Sequence, residues 1–201
     1  MIHTLLKWDQ HVFLWVNRSL STPFLDQVMP IVHEKLTWIP LYILLLIFMP
    51  WRFKLKGIFF LLILIALVAA SDLVSAHVIK PSFHRLRPCQ NHFLDAMIAR
   101  RISCGSGYSF VSSHASNHFA IGIFLALGLK EFISWLWIPA VFWASSIAFA
   151  QVYLGLHFPL DVIMGAFVGS GLAWLFFLMG NRLNLLPRRF TAASQEDLAT
   201  Q

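Results

Sequence analysis

Long apolar runs alternate with short polar segments along most of the chain. The runs cover residues 37–50, 56–79, 113–130, 134–153 and 158–180. Most of them approach the roughly 20 residues that a helix needs to cross a bilayer. Because lipid offers the backbone no hydrogen-bond partners, spanning segments of this kind are helical. The pattern predicts an all-α fold, a polytopic transmembrane bundle with five spans.

The N-terminal segment mixes apolar and polar positions at helical spacing. It predicts an amphipathic helix over residues 4–18 that lies at the membrane interface and becomes a sixth span if it inserts. The apolar positions are Leu5, Leu6, Trp8, Val12, Phe13 and Val16, among Lys7, Asp9, Gln10 and Arg18. Ser21 and Thr22 then predict a helix cap before a second, partly polar helix over residues 23–34.

The domain organisation follows from the same pattern. Residues 1–189 are expected to form a single membrane-embedded domain. Residues 190–201 are small and polar without a periodic apolar face, and we expect a disordered tail there. The first residues lack the pattern of a cleavable signal peptide, so insertion is expected to depend on the mature spans.

Composition and charge support a membrane protein and narrow its partners. The chain is 58% hydrophobic and only 12% charged, against about 25% charged in soluble domains. Its net charge of +6 is spread between the apolar runs rather than collected in a basic tract. We therefore expect membrane lipids and a phosphate-bearing lipid as partners, and no nucleic acid. The sequence does not indicate an oligomeric state.

Loop charges predict the orientation. Basic residues follow the first, third and last spans, and the positive-inside rule places that side in the cytoplasm. They are Arg52, Lys54, Lys56, Lys130, Arg182, Arg188 and Arg189. Loops 80–112 and 151–157 then face the outside, the periplasm if the membrane is a bacterial inner membrane. Several basic residues in loop 80–112 oppose this count and call for a functional explanation.

The first candidate for chemistry is the segment KPSFHRLRP, in which Lys80 precedes Arg87 by seven positions. A lysine supplies a point charge and an arginine a planar fork, a pair suited to holding the oxygens of a phosphate. The alternative is that both side chains reach out to lipid headgroups.

The second candidate is SFVSSHASNHF, which puts Ser112, Ser113 and His114 at the start of the third span. Free N–H groups at a helix start, with two hydroxyls, suit an anion, and His114 could donate a proton to a leaving oxygen. The alternative is a serine-capped helix with an incidental histidine.

The third candidate is AQVYLGLHFPLD, where His157 and Asp161 are four residues apart. If a helix begins near His157, both lie on one face. The carboxylate would fix the tautomer of the ring and leave the other nitrogen free to attack. The alternatives are a pair that only satisfies itself, or a metal site that recruits other histidines. Neither HExxH nor a Cys/His zinc pattern occurs, so no metal and no cofactor are expected.

These three segments match the motifs K-x6-R-P, P-S-G-H and S-R-x5-H-x3-D. They occur here as Lys80 to Arg87-Pro88, as Val111 to His114, and as Ala150-Gln151 to His157 and Asp161. Over residues 80–161 the chain resembles the type-2 phosphatidic acid phosphatase superfamily, lipid phosphate phosphatases that share a catalytic architecture with vanadium haloperoxidases. The apolar spans disfavour a soluble haloperoxidase.

The resemblance implies a role for each matched residue. His157 attacks phosphorus to give a phosphohistidine, and Asp161 holds its ring. His114 protonates the departing lipid alkoxide. The phosphoryl oxygens are bound by Lys80, Arg87, Ser112 and the backbone at Ser113.

Two departures from the motifs affect the phosphate site. The motif proline and glycine are Val111 and Ser113, and the motif arginine is Gln151. An amide donates hydrogen bonds to phosphate but brings no charge, so another cation is a candidate to take the arginine's place. The candidates nearby in sequence are His84, Arg85, Arg100 and Arg101.

Two cysteines lie in loop 80–112. Cys89 and Cys104 are 15 positions apart, just after the first motif and before the second. In an oxidising compartment they could form a disulfide that pins the two motifs together. The alternative is two unpaired small residues.

The functional hypothesis is metal-independent hydrolysis of a lipid-linked monophosphate or diphosphate at the outer face of a bacterial inner membrane, with the active site facing the periplasm. Short bacterial members that resemble this chain recycle undecaprenyl diphosphate, which is the favoured substrate. Others act on phosphatidylglycerol phosphate, phosphatidic acid or lipid A, and generic contacts to lipid tails do not separate them. The competing class is a transport or lipid-binding membrane protein, which would need the basic residues but not the His157–Asp161 pair.

Overall fold

A computed structural model describes residues 2–189, and the tail expected over 190–201 lies outside them. The described residues are helical, with no strand. Seven α-helices follow in chain order: α1 Ile2–Leu14, α2 Pro23–His33, α3 Ile39–Asp72, α4 Lys80–Phe83, α5 Ser113–Leu129, α6 Trp137–Tyr153 and α7 Pro159–Arg182. π-helical turns over Trp15–Ser19 and Leu73–Ile79 extend α1 and join α3 to α4. The all-helical prediction is confirmed.

Helix α3 combines the first two apolar runs and breaks sharply between them. Lys54 has φ 50° and ψ −129°, outside the helical region. A Cβ on Gly57 would lie only 2.0 Å from the carbonyl oxygen of Met49. Residues eight apart in a straight helix are separated by about 12 Å. The chain therefore folds back on itself at this point, and only glycine fits at position 57.

Two helical segments of the described chain are long and apolar enough to cross a membrane, Lys35–Phe83 and Pro159–Arg182, and a shorter apolar helix covers Trp137–Tyr153. Large apolar side chains point outward from these helices, including Phe142, 75% exposed, and Phe167, 69% exposed. Such surfaces suit contact with lipid and are unusual in soluble proteins. The count of five or six spans stays a prediction.

The N-terminal helix packs one of its faces against the rest of the protein. α1 spans Ile2–Leu14, close to the expected bounds, and the predicted cap before α2 is confirmed, since Thr22 accepts a hydrogen bond from the Leu25 amide at 3.2 Å. Asp9, however, is only 4% exposed and lies against the rest of the protein, as Phe13 does. One polar face of α1 is therefore an internal contact, and its position at the membrane interface stays a prediction.

Helix α5 forms the centre of the bundle, packing against α3, α6 and α7. Its contact with α7 depends on glycine: a Cβ at Gly169 would lie 2.0 Å from the Ser116 carbonyl oxygen, and one at Gly165 would lie 2.5 Å from that of Ser112. Small residues four apart allow such close backbone contact between helices in membranes. The Ser112 amide also donates to the Asp161 carbonyl at 2.9 Å. The starts of α5 and α7 are thereby joined.

Replacing Gly169 by alanine is expected to lower the thermal unfolding midpoint in detergent by several degrees. The added methyl forces α5 and α7 apart, and overpacking of this kind costs about 1–3 kcal/mol. Gly171→Ala is the matched control on the same helix, because a Cβ there has no described atom within 4 Å. Equal midpoints for the two variants would contradict the packing argument.

Candidate active site

A tight turn presents His157 just ahead of α7. After α6 ends at Tyr153, Gly155 adopts φ +83°, which side chains disfavour, and the amides of Leu156 and His157 both donate to the Gln151 carbonyl, at 3.0 and 3.2 Å. α7 begins at Pro159. The expectation of His157 and Asp161 on one helical face is therefore wrong: proline at the first helical position places His157 outside the helix.

Asp161 is fully buried and holds four groups together. Its Oδ2 accepts hydrogen bonds from the Ser109 hydroxyl and from the Phe158 amide, the latter at 2.9 Å. Its Oδ1 accepts from Arg85 at 2.6 Å. The fourth group is the ring of His157, whose Nδ1 lies 3.6 Å from Oδ2. These contacts fix the carboxylate next to the imidazole.

Ser109 connects the His157 ring to this carboxylate. Its Oγ lies 3.3 Å from Nδ1, closer than the carboxylate does. Since the only hydroxyl proton goes to Asp161, Oγ accepts the proton on Nδ1. Nε2 is then unprotonated and carries the lone pair, which receives a hydrogen bond from Arg87 Nη1 at 3.1 Å. The tautomer is the one that a nucleophilic Nε2 requires.

The protonation state of His157 also suits attack. The side chain is 1% exposed, and burial lowers its pKa to about 4, although the contact with Asp161 opposes the shift. The charges of Arg87 and Lys80 act in the same direction as burial. The imidazole is therefore neutral at pH 7.

The basic residues of the first motif converge on His157. Arg87 donates to the backbone carbonyls of Ser106 and Gly107, at 3.2 Å each, and these contacts hold its guanidinium against Nε2 of His157. Lys80, the first residue of α4, lies near enough to Arg87 and Asp161 for its charge to interact with theirs. Two cations beside one neutral imidazole suit a phosphoryl group.

The serine–histidine segment forms the start of α5, as expected, with the serines in structural contacts. Ser112 is fully buried and its Oγ caps the helix by accepting from the Ala115 amide at 3.4 Å. The Ser113 hydroxyl accepts from Ser75 at 3.0 Å. His114 is half-buried and its ring lies 5.1 Å from that of His33. Phosphate binding by Ser112 and Ser113 stays a prediction.

Gln151 pairs with a residue that the sequence did not single out. Its Nε2 lies 2.7 Å from Nδ1 of His33, at the end of α2. Gln151 is 0% exposed, and its Oε1 has no hydrogen-bond partner among the described residues. The position of the motif arginine is therefore occupied by a buried Gln–His pair.

The four cations considered as substitutes for the arginine are placed differently. Arg85 lies between Asp161 and Asp9, and Arg101 forms an ion pair with Asp26 and donates to the carbonyls of Asn17 and Tyr153, so both are held in structural contacts. Arg100 donates to the Cys89 carbonyl at 3.2 Å, and the ring of His84 packs on Tyr108. None of these contacts involves Gln151.

Cys89 is bonded to Cys104, with 5.8 Å between their Cα atoms. The bond closes residues 89–104 into a loop, and the carbonyls contacted by Arg87 follow two and three positions after Cys104. A Cβ at Gly105 would lie 3.5 Å from the Arg87 guanidinium carbon. The bond therefore ties the first motif to the segment leading into the second.

Residues that sequence reasoning missed share one property, which is that their partners are distant in the chain. Ser109, Asp9 and His33 contact Asp161, Arg85 and Gln151, respectively. The sequence could have pointed to Ser109, which lies only three residues before Ser112. Nothing in the local pattern indicated that Asp9 or His33 contributes to the site. Within residues 2–189, the structure gathers no set of three His, Cys, Asp or Glu side chains fit to hold a metal ion.

A profile described as the PAP2 superfamily matches residues 57–185, most of the chain and all three motifs. The chain belongs to the PAP2 superfamily. It is similar over 91% of its length, at 32% identity, to a protein of Bacteroides thetaiotaomicron named lipid A 4'-phosphatase, of which it covers 81%. A Porphyromonas gingivalis protein of the same name is 27% identical over 82% of the chain and 70% of its own length.

Another PAP2 relative carries a different name. An undecaprenyl-diphosphatase of Sulfolobus acidocaldarius is 32% identical over 72% of the chain and 63% of its own length. Two solved structures share the fold. One is a transmembrane PAP2-type phosphatidylglycerolphosphate phosphatase from Bacillus subtilis, with a TM-score of 0.71 at 23% identity over 94% of the chain and 90% of its own. The other is Aquifex aeolicus LpxE, with a TM-score of 0.63 at 22% identity over 84% and 94%.

Family membership and the site agree on the class of reaction. The chain is a membrane lipid phosphatase of the PAP2 type, a hydrolase of phosphoric esters. It has the basic residues of a phosphate site and also the buried His–Asp pair that a mere binding protein does not need.

Proposed function

We propose that this PAP2 protein removes a phosphate monoester from lipid A, with His157 as the nucleophile. The observation that carries the proposal is a cavity of about 710 Å³ whose wall includes both apolar side chains and His114. The cavity runs between α3 and α5, with Leu64, Val68 and Ile121 on its apolar part and Ser113 beside His114 at its polar part. A lipid phosphate fits this combination, since its acyl chain can occupy the apolar part while its polar end reaches His114, the proposed proton donor.

The proposed chemistry has two steps. Nε2 of His157 attacks phosphorus, the bond from phosphorus to the sugar oxygen breaks, and His114 gives its proton to that oxygen. Water then attacks the phosphohistidine, His114 takes a proton from the water, and inorganic phosphate leaves. Lys80 and Arg87 hold the phosphoryl oxygens, where charge builds up in both transition states.

The substrate proposal gives lipid A precedence over undecaprenyl diphosphate, which the sequence analysis favoured. The relatives named lipid A 4'-phosphatase match this chain over more of its length than the undecaprenyl-diphosphatase does, 91% and 82% against 72%. Undecaprenyl diphosphate is the second candidate, because that relative is equally identical, at 32%, over the part that matches. An active site facing the periplasm is part of the proposal, since the bonded Cys89–Cys104 pair suits an oxidising compartment.

Phosphate release from a panel of lipids by the detergent-purified protein tests this proposal. The panel contains lipid A, undecaprenyl diphosphate, phosphatidylglycerol phosphate and phosphatidic acid, each with and without EDTA. We expect the highest kcat/KM with lipid A and no effect of EDTA. Faster release from another lipid would overturn the substrate, and complete loss with EDTA would show a need for metal. No release from any of the four would overturn the phosphatase assignment.

A further inference from the structure

One of the two polar atoms in the buried side-chain amide of Gln151 has no hydrogen-bond partner among the described residues. Its nitrogen lies 2.7 Å from His33 Nδ1, and its oxygen is without a partner among the described residues. The two ends of an amide are distinguished only by what they bond to. Turning the amide by 180° lets its oxygen accept the proton of His33 Nδ1 and leaves its NH₂ without a partner instead.

The two orientations differ in what they offer to an anion. An unpartnered carbonyl oxygen repels a phosphoryl oxygen, whereas an unpartnered NH₂ donates to it. Only the turned amide can therefore contribute to a phosphate site, and it is compatible with His33 only if Nδ1 carries a proton. Burial lowers the pKa of His33, so its ring is neutral at pH 7 and has a single proton to place on one nitrogen or the other.

The pair lies next to the groups of the active site. Gln151 accepts the amide proton of His157 on its own carbonyl, at 3.2 Å. His33 packs 5.1 Å from the ring of His114, and the charge of Arg87 acts on it. The side chains of Gln151 and His33 thus join the turn that carries the nucleophile to the helix start that carries His114.

We propose that His33 acts as a positioning residue that turns the Gln151 amide toward the phosphate, so that the His33–Gln151 pair takes the place of the motif arginine. His33 donates its Nδ1 proton to the amide oxygen, and the amide nitrogen donates to a phosphoryl oxygen of the substrate. The pair supplies a directed hydrogen bond but no charge. The proposal rests on the proposed function for the identity of the ligand, a phosphate ester at His157.

Kinetics of a double-variant set test the pair. His33→Phe keeps a ring against His114 but loses both nitrogens, and Gln151→Leu loses the amide. Each is expected to lower kcat/KM for lipid phosphate by about 10–100-fold, below the effect of losing a donor on an oxyanion. Because the two residues act as one unit, the double variant is expected to be no worse than either single variant. Losses that multiply, or full activity of His33→Phe, would overturn the proposal.

Two further variants separate positioning from a structural role. His33→Asn places an amide N–H near the position of Nδ1 and is expected to recover most of the activity. Gln151→Arg brings its own donors, so adding His33→Phe to it is expected to change little. A large loss there, or no recovery with asparagine, contradicts the proposed role. The matched control is His11→Phe, at an exposed histidine of α1, and thermal unfolding checks that every variant is folded.

Inorganic phosphate keeps this test independent of the lipid substrate. Its affinity is measured for the same variants by isothermal titration, and ¹⁵N NMR of the His33 ring reports whether Nδ1 gains the proton when phosphate binds. We expect weaker phosphate binding by His33→Phe and Gln151→Leu, and a protonated Nδ1 in the bound wild type. If no lipid is hydrolysed, the proposed function fails, but these measurements still show whether the His33–Gln151 pair binds phosphate. Equal affinities and an unprotonated Nδ1 would reject it.

Discussion

His157→Ala is expected to abolish phosphate release, with kcat lowered by about 10⁴–10⁶-fold, as when the nucleophile of a catalytic unit is removed. The neutral ring, with a pKa lowered to about 4 by burial, presents an Nε2 lone pair that water alone does not replace. Brief incubation with ³²P-labelled lipid and quenching in alkali, which preserves phosphohistidine, should label the wild type and leave His157→Ala unlabelled.

The control for this experiment is His92→Ala, an exposed histidine of loop 80–112, which should keep both turnover and label. Turnover by His157→Ala at the wild-type rate would show that another group attacks phosphorus. If the wild type is labelled but releases no phosphate, hydrolysis of the phosphohistidine is the step that fails. The lipid panel would then need a different substrate.

Arg85→Met is expected to lower kcat by about 10²–10³-fold and to destabilise the fold by about 3–5 kcal/mol, the usual cost of removing one partner from a buried ion pair. Arg85 joins Asp161 to Asp9, which is 4% exposed and whose Oδ1 also accepts the Leu160 amide at 2.8 Å. Burial already raises the pKa of Asp9, so loss of the guanidinium leaves two carboxylates without compensation.

A second substitution separates the two effects of Arg85. Asp9→Asn in the Arg85→Met background removes one carboxylate and keeps an acceptor for the Leu160 amide. We expect the unfolding midpoint to recover and kcat to stay low, since Asp161 still lacks its Oδ1 partner, with KM little changed throughout. Arg18→Met, at an exposed arginine of the π-helical turn, is the matched control. Recovery of kcat together with stability would mean that Arg85 acts on the fold alone.

The sequence predicted what depends on local pattern. Apolar runs gave the positions of α5, α6 and α7, because a helix needs a continuous stretch of suitable residues and little else. The motif spacing brought His157, Asp161 and Arg87 into one site. The two separate runs 37–50 and 56–79 predicted that the chain turns back between them, but not the contact of Gly57 with the Met49 backbone, which depends on how the two segments meet.

Long-range contacts explain what the sequence could not provide. Asp9 occupies a polar position of an amphipathic pattern, which normally faces water, yet it contacts Arg85, 76 positions away. Gln151 and His33 are separated by 118 positions. Spacing along one helix also failed for His157, because Pro159 starts α7 after it. Each case depends on which elements meet in space, and hydrophobic periodicity does not encode that.

Arg87 donates a hydrogen bond to Nε2 of His157, and this contact affects which molecules can react with the imidazole. The Nε2 lone pair accepts this hydrogen bond and the ring is 1% exposed, so small electrophiles have little access to it. An arriving phosphate competes for the guanidinium with a stronger, charge-assisted bond and draws it away from the imidazole. In the proposed reaction, the charge of the phosphate therefore draws Arg87 away and frees Nε2, whereas a neutral lipid leaves Arg87 bonded to it.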